Sequence, residues 1–313
     1  MGTHIEMQKL DIRRPGILVP PLTPFTADWK VDYAALKNGV DAVVEHSQPA
    51  LIIAAGVEAQ EYQFLPFDER LDLIRATIDA VDDRVPVAVG ISHPSFKIAV
   101  ELAHFAEKHG AKAVQLLAPQ KPTGGAAATS ELVRYFESVG RETSLPFILY
   151  LNAGPGADVS IPATVELAKL EHIKLIKESS RDLARVSRLI AEIEHAGLAH
   201  YFTTMQMLLI TLQLGGAGVT LPPPASEIAH LLINAYHRGD LSRATELQQV
   251  FATYPSRWMS YGLAAVMKAS ENYLGVRIGR PFPPYDAIDG VHLEELHAFL
   301  SSHIASLKGY AHA

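Results

Sequence analysis

A lysine ends one of the apolar runs of the chain, at a position where it could act as a nucleophile. In the run IKLIK at 173–177, Lys177 shares strand parity with Ile173 and Leu175. If those side chains point into a core, Lys177 points there too, and partial desolvation lowers its pKa from the usual value of about 10.4. A neutral lysine can attack a carbonyl and form a Schiff base. The pattern alone leaves open an exposed lysine in a strand-to-helix loop.

A tyrosine occupies the corresponding place in the preceding run, PFILYLN at 146–152. Ile148, Tyr150 and Asn152 share parity, so we expect Tyr150 to face inward beside Lys177 and Asn152 to contact substrate. A phenol beside a protonated imine can relay protons during addition and elimination. The alternative is a tyrosine that only packs the core and satisfies its hydroxyl locally.

Eight apolar runs of this kind follow one another at a fairly even spacing. Near-continuous Val, Ile and Leu indicates strands covered on both faces, as parallel strands are. Helical periodicity fills the gaps, as in the 4, 3, 4, 3 spacing of apolar residues across 67–81. The runs lie at 16–22, 50–56, 85–91, 113–119, 146–152, 173–179, 200–206 and 216–222.

This alternation predicts an α/β fold, a (β/α)₈ TIM barrel over residues 16–223. An open doubly wound sheet is the competing architecture, but it would bring a Gly-rich turn after the first strand, where this chain has prolines at 20–24. Beyond 222–224 the strand signal disappears. We therefore expect residues 224–313 to form a C-terminal helical extension packed on the barrel.

Composition excludes several classes of protein and site. The 313 residues contain no cysteine, which rules out disulfide scaffolds, thiolate metal sites and thiol nucleophiles. A net charge of −7 gives no global basic surface for nucleic acid or anionic lipid. No run reaches 18 apolar residues and the N-terminus lacks a signal-peptide core, so we expect a cytoplasmic protein without a membrane partner. Part of residues 1–7 could be an expression remnant.

Several motifs, in order and at the right spacing, resemble the dihydrodipicolinate synthase / N-acetylneuraminate lyase family of class I, Schiff-base-forming aldolases. The resemblance covers about residues 16–288. Tyr150 lies twelve residues before Pro162, where the family has its proton-relay tyrosine. The matching segments are VPPLTPF at 19–25, EYQFLPFDER at 61–70, KLIKESSRDLARV at 174–186, LGGAGV at 214–219 and GRPFPP at 279–284.

The resemblance implies an enzyme in which Lys177 forms an imine with pyruvate or another 2-oxo acid while Tyr150 moves protons. It implies reversible aldol addition or cleavage, or a related dehydration. Neither a metal nor an organic cofactor is required, because the imine does the work of a Lewis acid. It also implies a homotetramer or homodimer, and Thr220 in the eighth run is expected at the substrate.

Three departures from the family pattern point to a different second substrate. The family's threonine pair is replaced by Glu58 and Ala59, and its second relay tyrosine by Pro119. The arginine that would bind the second substrate's carboxylate is absent from 152–156, which argues against aspartate semialdehyde. Glu58 could act as an acid or base or repel an anion, and backbone N–H groups around Ala59 could hold the 2-oxo acid's carboxylate.

Two other functions stay open at this point. One is a catalytically silent relative that binds a small metabolite, which the lost threonine pair and relay tyrosine motivate. The other is a barrel enzyme that uses Glu58 and Tyr150 without a covalent intermediate.

Overall fold

The computed structural model of the protein describes residues 7–57, 61–121, 123 and 125–305. They form two compact units. The barrel unit comprises Met1–Leu18, Ala50–Ala54 and Val85–Thr220, of which residues 1–6 lie outside the described part. The helical unit comprises Val19–Pro49, Ala55–Arg84 and Leu221–Ala313. The division into segments 16–223 and 224–313 stays a prediction.

Eight parallel strands close into a ring in chain order, so the predicted TIM barrel is confirmed. Every strand lies inside one of the eight apolar runs, since a strand covered on both faces is mostly apolar along its length. The seam pairs the first strand with the last, at Gly16 and Gly218. The strands are β1 Gly16–Val19, β2 Leu51–Ala54, β3 Val87–Gly90, β4 Ala113–Leu117, β5 Phe147–Leu151, β6 Ile173–Glu178, β7 His200–Thr203 and β8 Gly218–Thr220.

Glycine is required at the barrel seam. Gly218 has a φ of +133°, and a Cβ added there would lie 2.0 Å from the carbonyl oxygen of Gly16. The preceding Gly215, with a φ of +77°, makes the turn into β8. The glycines at 215–218 thus serve the backbone of the seam.

Helices follow the strands and continue past the last one. The helices of the barrel unit are α3 Phe96–Lys108, α4 Thr129–Gly140, α5 Ile161–Ala168, α6 Leu183–Leu189 and α7 Leu208–Gln213. Those of the helical unit are α1 Tyr33–Ser47, α2 Phe67–Val81, α8 Ala225–His237, α9 Leu241–Thr253, α10 Leu263–Tyr273 and α11 Gly290–Leu300. Over the described ranges, no helix combines the length and apolar character that a bilayer span needs.

The barrel interior is filled by one side chain or two from each of the strands β1 to β7. In β5 and β6 these are Ile148 and Leu175, both essentially inaccessible to solvent. Because side chains alternate along a strand, residues two positions further on share this inward face. The interior cluster includes Leu18, Leu51, Ile53, Ala88, Ala113, Ile148, Leu175 and Phe202.

A buried ion pair ties together distant parts of the helical unit. The ammonium of Lys268 contacts the Glu61 carboxylate, and both side chains are almost fully buried. Lys268 also donates to the carbonyl of Arg280 at 2.9 Å, while Glu61 accepts from the backbone N–H of Phe282 at 2.8 Å. Desolvation lowers the pKa of Lys268, and the Glu61 charge opposes that shift. The pair thus connects α10 to the segments around Glu61 and Phe282.

Replacing Lys268 by methionine should lower the free energy of unfolding by about 3–5 kcal/mol, because it leaves the Glu61 carboxylate buried and unpaired. Chemical denaturation measures the change. Lys169→Met is the matched control, since the Lys169–Glu166 pair is about half exposed and contributes under ~1 kcal/mol. Equal losses of stability in the two variants would contradict the stabilising role of the pair between Lys268 and Glu61.

Glu271 should make stability fall as pH rises. Burial raises its pKa to about 8 from an ordinary 4.5, and its Oε1 has no hydrogen-bond partner among the described residues. At a pH between these two pKa values, the folded protein holds a proton on Glu271 that the unfolded chain releases. The free energy of unfolding therefore drops by ~1.4 kcal/mol per pH unit over this range. Unfolding curves from pH 4.5 to 8 should show Glu271→Gln overtaking the wild type, whereas the exposed Glu246→Gln should leave the slope unchanged. Parallel curves for wild type and Glu271→Gln would refute this.

Candidate active site

Lys177 lies inside the barrel, two residues after Leu175 in β6. It pairs in register with Tyr150 of β5 on one side and with Phe202 of β7 on the other. Lys177 is only 3% exposed and Tyr150 only 1%. The structure therefore buries the amine, and the exposed-loop alternative is wrong.

The amine of Lys177 contacts the face of the Tyr150 ring. Its Nζ lies 3.7 Å from the ring centroid. The electron-rich face of an aromatic ring attracts an ammonium, whereas burial penalises the charged form. The two neighbouring strands thus bring together an amine that can add to a carbonyl and a phenol that can carry a proton.

Asn152, just past the end of β5, is bonded to Tyr150. Its Nδ2 donates to the phenolic oxygen at 2.9 Å, and its Oδ1 accepts from the backbone N–H of Gly154 at 3.1 Å. Both ends of the amide are therefore engaged by the protein. Substrate contact by Asn152 stays a prediction, and the two-residue period of a strand gives no sign of these bonds.

Thr220 lies at the end of β8, on the inward face of the barrel. It pairs in register with Leu18, which belongs to the interior cluster. Thr220 is 4% exposed, and its Oγ1 makes no hydrogen bond within the described part of the chain. A buried hydroxyl without a partner costs free energy, and a ligand atom could satisfy it.

Two of the predicted substrate-binding residues, Glu58 and Ala59, lie outside the described residues. The chain that leads to them is described as far as Val57. Ala55, directly after β2, has a φ of +54°, a left-handed conformation that an alanine seldom adopts. Strained backbone of this kind is frequent next to functional sites, and no local signal in the sequence marks it.

An ion pair on the opposite face of β6 holds the strand from outside. Glu178 follows Lys177 and points away from the interior, where its carboxylate accepts from the Nε of Arg185 at 2.8 Å. The hydroxyl of Tyr201 in β7 donates to the same carboxylate at 3.4 Å. Burial raises the pKa of Tyr201 well above its usual value, with a further contribution from the Glu178 charge. Tyr201 therefore stays protonated and keeps this bond.

A crevice of about 260 Å³ opens beside the ends of β5 and β6. Asn152 and Ser179 line it, and the Ser179 hydroxyl is buried without a partner in the described structure. Arg181 and Arg185 line it too, with Arg181 bonded to Gln206 at 3.1 Å. The crevice is large enough for a small polar molecule. Across the described ranges, no three His, Asp or Glu side chains are grouped to hold a metal ion.

Comparisons with known sequences agree on one family. The profile described as "Dihydrodipicolinate synthetase family" matches residues 13–303. The 4-hydroxy-tetrahydrodipicolinate synthase of Caldicellulosiruptor bescii is 27% identical over 296 residues, which is 94% of this chain and 98% of that protein. The enzyme of the same name from Acidothermus cellulolyticus is 30% identical over 275 residues, covering 86% of this chain and 85% of its own.

Solved structures share the fold over nearly the whole chain. YagE from E. coli K12, described as a prophage protein of the dihydrodipicolinic acid synthase family in complex with pyruvate, has a TM-score of 0.84 at 25% identity. The match covers 92% of this chain and 97% of that one. N-acetylneuraminate lyase from Mycoplasma synoviae has a TM-score of 0.78 at 21% identity and covers 91% and 96% of the two chains, which is a likeness of fold alone.

Replacing Thr220 by valine should raise the free energy of unfolding by about 1 kcal/mol, because it removes a buried hydroxyl that has no partner in the part of the chain that the structure describes. Thr203→Val is the matched control, since the buried Thr203 hydroxyl is bonded to that of Thr211 at 2.6 Å. The control should lose about 1 kcal/mol or more. Denaturant titration of both variants checks the opposite signs, and a destabilised Thr220→Val would show that the hydroxyl is already satisfied.

Proposed function

The chain belongs to the dihydrodipicolinate synthetase family, and from that premise we propose that it is a lyase or aldolase in which Lys177 forms a Schiff base with pyruvate or another 2-oxo acid. One observation carries the proposal: the buried Nζ of Lys177 lies 3.7 Å from the ring centroid of the buried Tyr150. Burial favours the uncharged amine, which is the form that attacks a carbonyl. The pyruvate complex described for YagE supports the choice of a 2-oxo acid.

The reaction begins with addition of the neutral Lys177 amine to the ketone carbon. Proton transfer to the hydroxyl of the adduct and loss of water give an iminium ion. This ion accepts the electron pair left when a proton leaves the adjacent carbon, which produces an enamine. The enamine carbon forms a bond to an electrophilic carbonyl carbon, whose C=O π electrons move to the oxygen, which takes up a proton. Hydrolysis of the resulting iminium restores the amine and releases the product. Cleavage runs through the same steps in reverse.

Tyr150 is the group we assign to the proton transfers. Its phenol lies one strand from Lys177, on a register-paired position that keeps the two groups together throughout the cycle. A positioned acid or base of this kind contributes about 10²–10⁴-fold to rate. Inside the barrel its proton exchanges with the bound intermediate instead of with bulk water.

The carboxylate of the 2-oxo acid needs donors at the same end of the barrel. Thr220 is one candidate, since its buried hydroxyl has no partner among the described residues. Backbone N–H groups around Glu58 and Ala59 are the other candidates, in place of the threonine pair of the family pattern. We assign Glu58 itself to acid–base chemistry or to exclusion of anionic second substrates.

We extend the proposal to the second substrate, which differs from aspartate semialdehyde. The segment 152–156 carries no arginine. The two arginines at the neighbouring crevice are engaged elsewhere, Arg185 with Glu178 and Arg181 with Gln206. Each already bonds a protein group through its Nε, so neither offers its whole guanidinium to a second carboxylate. The proposal further includes a cytoplasmic homotetramer or homodimer whose ligand is a small molecule.

A non-catalytic role is the second candidate. The family's threonine pair is replaced here, and Pro119 stands where a second relay tyrosine is expected. A relative that kept the pocket and lost turnover would bind a small metabolite without converting it.

Borohydride reduction in the presence of pyruvate should attach a reduced pyruvyl group to Lys177, because hydride converts the imine into a stable secondary amine. Intact-protein and peptide mass spectrometry measures the adduct. Lys177→Met should give none. Lys174→Met is the matched control, since Lys174 lies on the same strand but is exposed, and it should label as the wild type does.

Other outcomes separate the alternatives. No adduct with any 2-oxo acid contradicts the proposal. Turnover that borohydride leaves untouched favours the non-covalent mechanism through Glu58 and Tyr150. Full ligand affinity in Lys177→Ala, with no turnover in either protein, favours the silent metabolite-binding relative.

A further inference from the structure

In the hydrogen bond between Asn152 and Tyr150, the amide is the donor and the phenolic oxygen is the acceptor. This direction affects the chemistry of the phenol. We infer that Asn152 is a positioning residue for the Tyr150 phenol: it holds the phenolic oxygen as a hydrogen-bond acceptor and so directs the phenolic proton away from itself. This assignment rests on the proposed function, in which Tyr150 transfers protons. It differs from direct substrate binding, which the sequence predicts for Asn152.

The orientation of the Asn152 amide follows from its second bond. The backbone N–H of Gly154 lies 3.1 Å from Oδ1 and can only donate, so the atom that faces it must be the oxygen. The amide nitrogen then faces Tyr150, 2.9 Å from the phenolic oxygen. A turn closed by the bond from Gly156 N–H to the Asn152 carbonyl, at 2.9 Å, holds the same loop. The donor in the Asn152–Tyr150 pair is thus the amide.

A phenol that accepts a hydrogen bond behaves differently from one that only donates. The accepted bond leaves the phenolic O–H to point along another direction. It also stabilises the phenolate, because a hydrogen bond to the charged form favours that form. Lys177 lies against the face of the same ring, so its ammonium acts in the same sense whenever the amine is charged. Both contacts therefore oppose the penalty that burial places on the phenolate of Tyr150.

Asn152 lies in the same chain as Tyr150, so its bond to the phenol needs no residue from a second subunit. It follows Tyr150 by two positions, one residue past the end of β5, and its amide reaches back to the phenolic oxygen. Pro119, after β4, has no side-chain donor or acceptor to offer the relay. Asn152 therefore supplies an activating bond to the phenol from within the chain.

Replacing Tyr150 by 3-fluorotyrosine allows the phenol to be titrated by ¹⁹F NMR, since fluorine lowers the pH at which the ring ionises and gives a single signal. In Asn152→Asp the carboxylate accepts where the amide donated and repels the phenolate, so the titration midpoint should rise by about one pH unit or more. Asn152→Ala removes the donor without adding charge and should move the midpoint in the same direction by less. Asn38→Asp, an exposed position, should not move it.

Exchange of the pyruvate methyl protons with deuterium, followed by ¹H NMR, reports the imine–enamine step without a second substrate. Asn152→Asp should slow exchange about tenfold and shift its pH profile upward, with the half-saturating pyruvate concentration unchanged within about twofold. In a Tyr150→Phe background the same substitution should change the rate by less than about twofold, because its effect passes through the phenol.

The ¹⁹F titration and the deuterium exchange distinguish failure of the Asn152 inference from failure of the proposed function. An unchanged ¹⁹F midpoint in Asn152→Asp overturns the inference, as does a higher half-saturating concentration with an equal loss in the Tyr150→Phe background. If the midpoint shifts but the wild type neither traps pyruvate nor exchanges its protons, the positioning bond stands and the proposed Schiff-base function fails. Circular dichroism and thermal unfolding confirm that each variant is folded.

Discussion

Lys177 sits with its amine against the ring of Tyr150, at a depth where neither side chain retains more than a few per cent of its accessible surface. Removing water from an amine is unfavourable for its charged form, and the ring face offsets only part of that penalty. The closed barrel maintains this contact, because the ladder from β5 through β6 to β7 fixes Tyr150, Lys177 and Phe202 at one level. The proposed chemistry depends on that shared level.

The groups around the contact between Lys177 and Tyr150 lie on both faces of the strands. On the outer face, the pair of Glu178 and Arg185 anchors the strand that carries Lys177. On the inner face, the amide of Asn152 donates to the phenolic oxygen of Tyr150. A strand places successive residues on opposite faces, so the ion-paired Glu178 and the buried amine of Lys177 occupy adjacent positions without contact.

A second buried lysine, Lys268, can be compared with Lys177. Lys268 faces the carboxylate of Glu61 and the carbonyl of Arg280, an environment suited to a permanent cation that connects distant segments. Lys177 faces an aromatic ring, which holds a cation less strongly than a carboxylate does. Burial alone therefore does not identify a reactive lysine. The different neighbours, a carboxylate at Lys268 and an aromatic ring at Lys177, support the proposal that Lys177 is the reactive amine.

The sequence by itself determined the eight strands and the inward parity of Tyr150 and Lys177, because apolar runs and two-residue alternation are properties of neighbouring residues. The ion pair between Glu61 and Lys268 and the burial of the Thr220 hydroxyl were decided by the tertiary structure alone. So was the direction of the Asn152 amide. Each depends on strand register, barrel closure or contacts between residues far apart in the chain, and local periodicity carries no information about these.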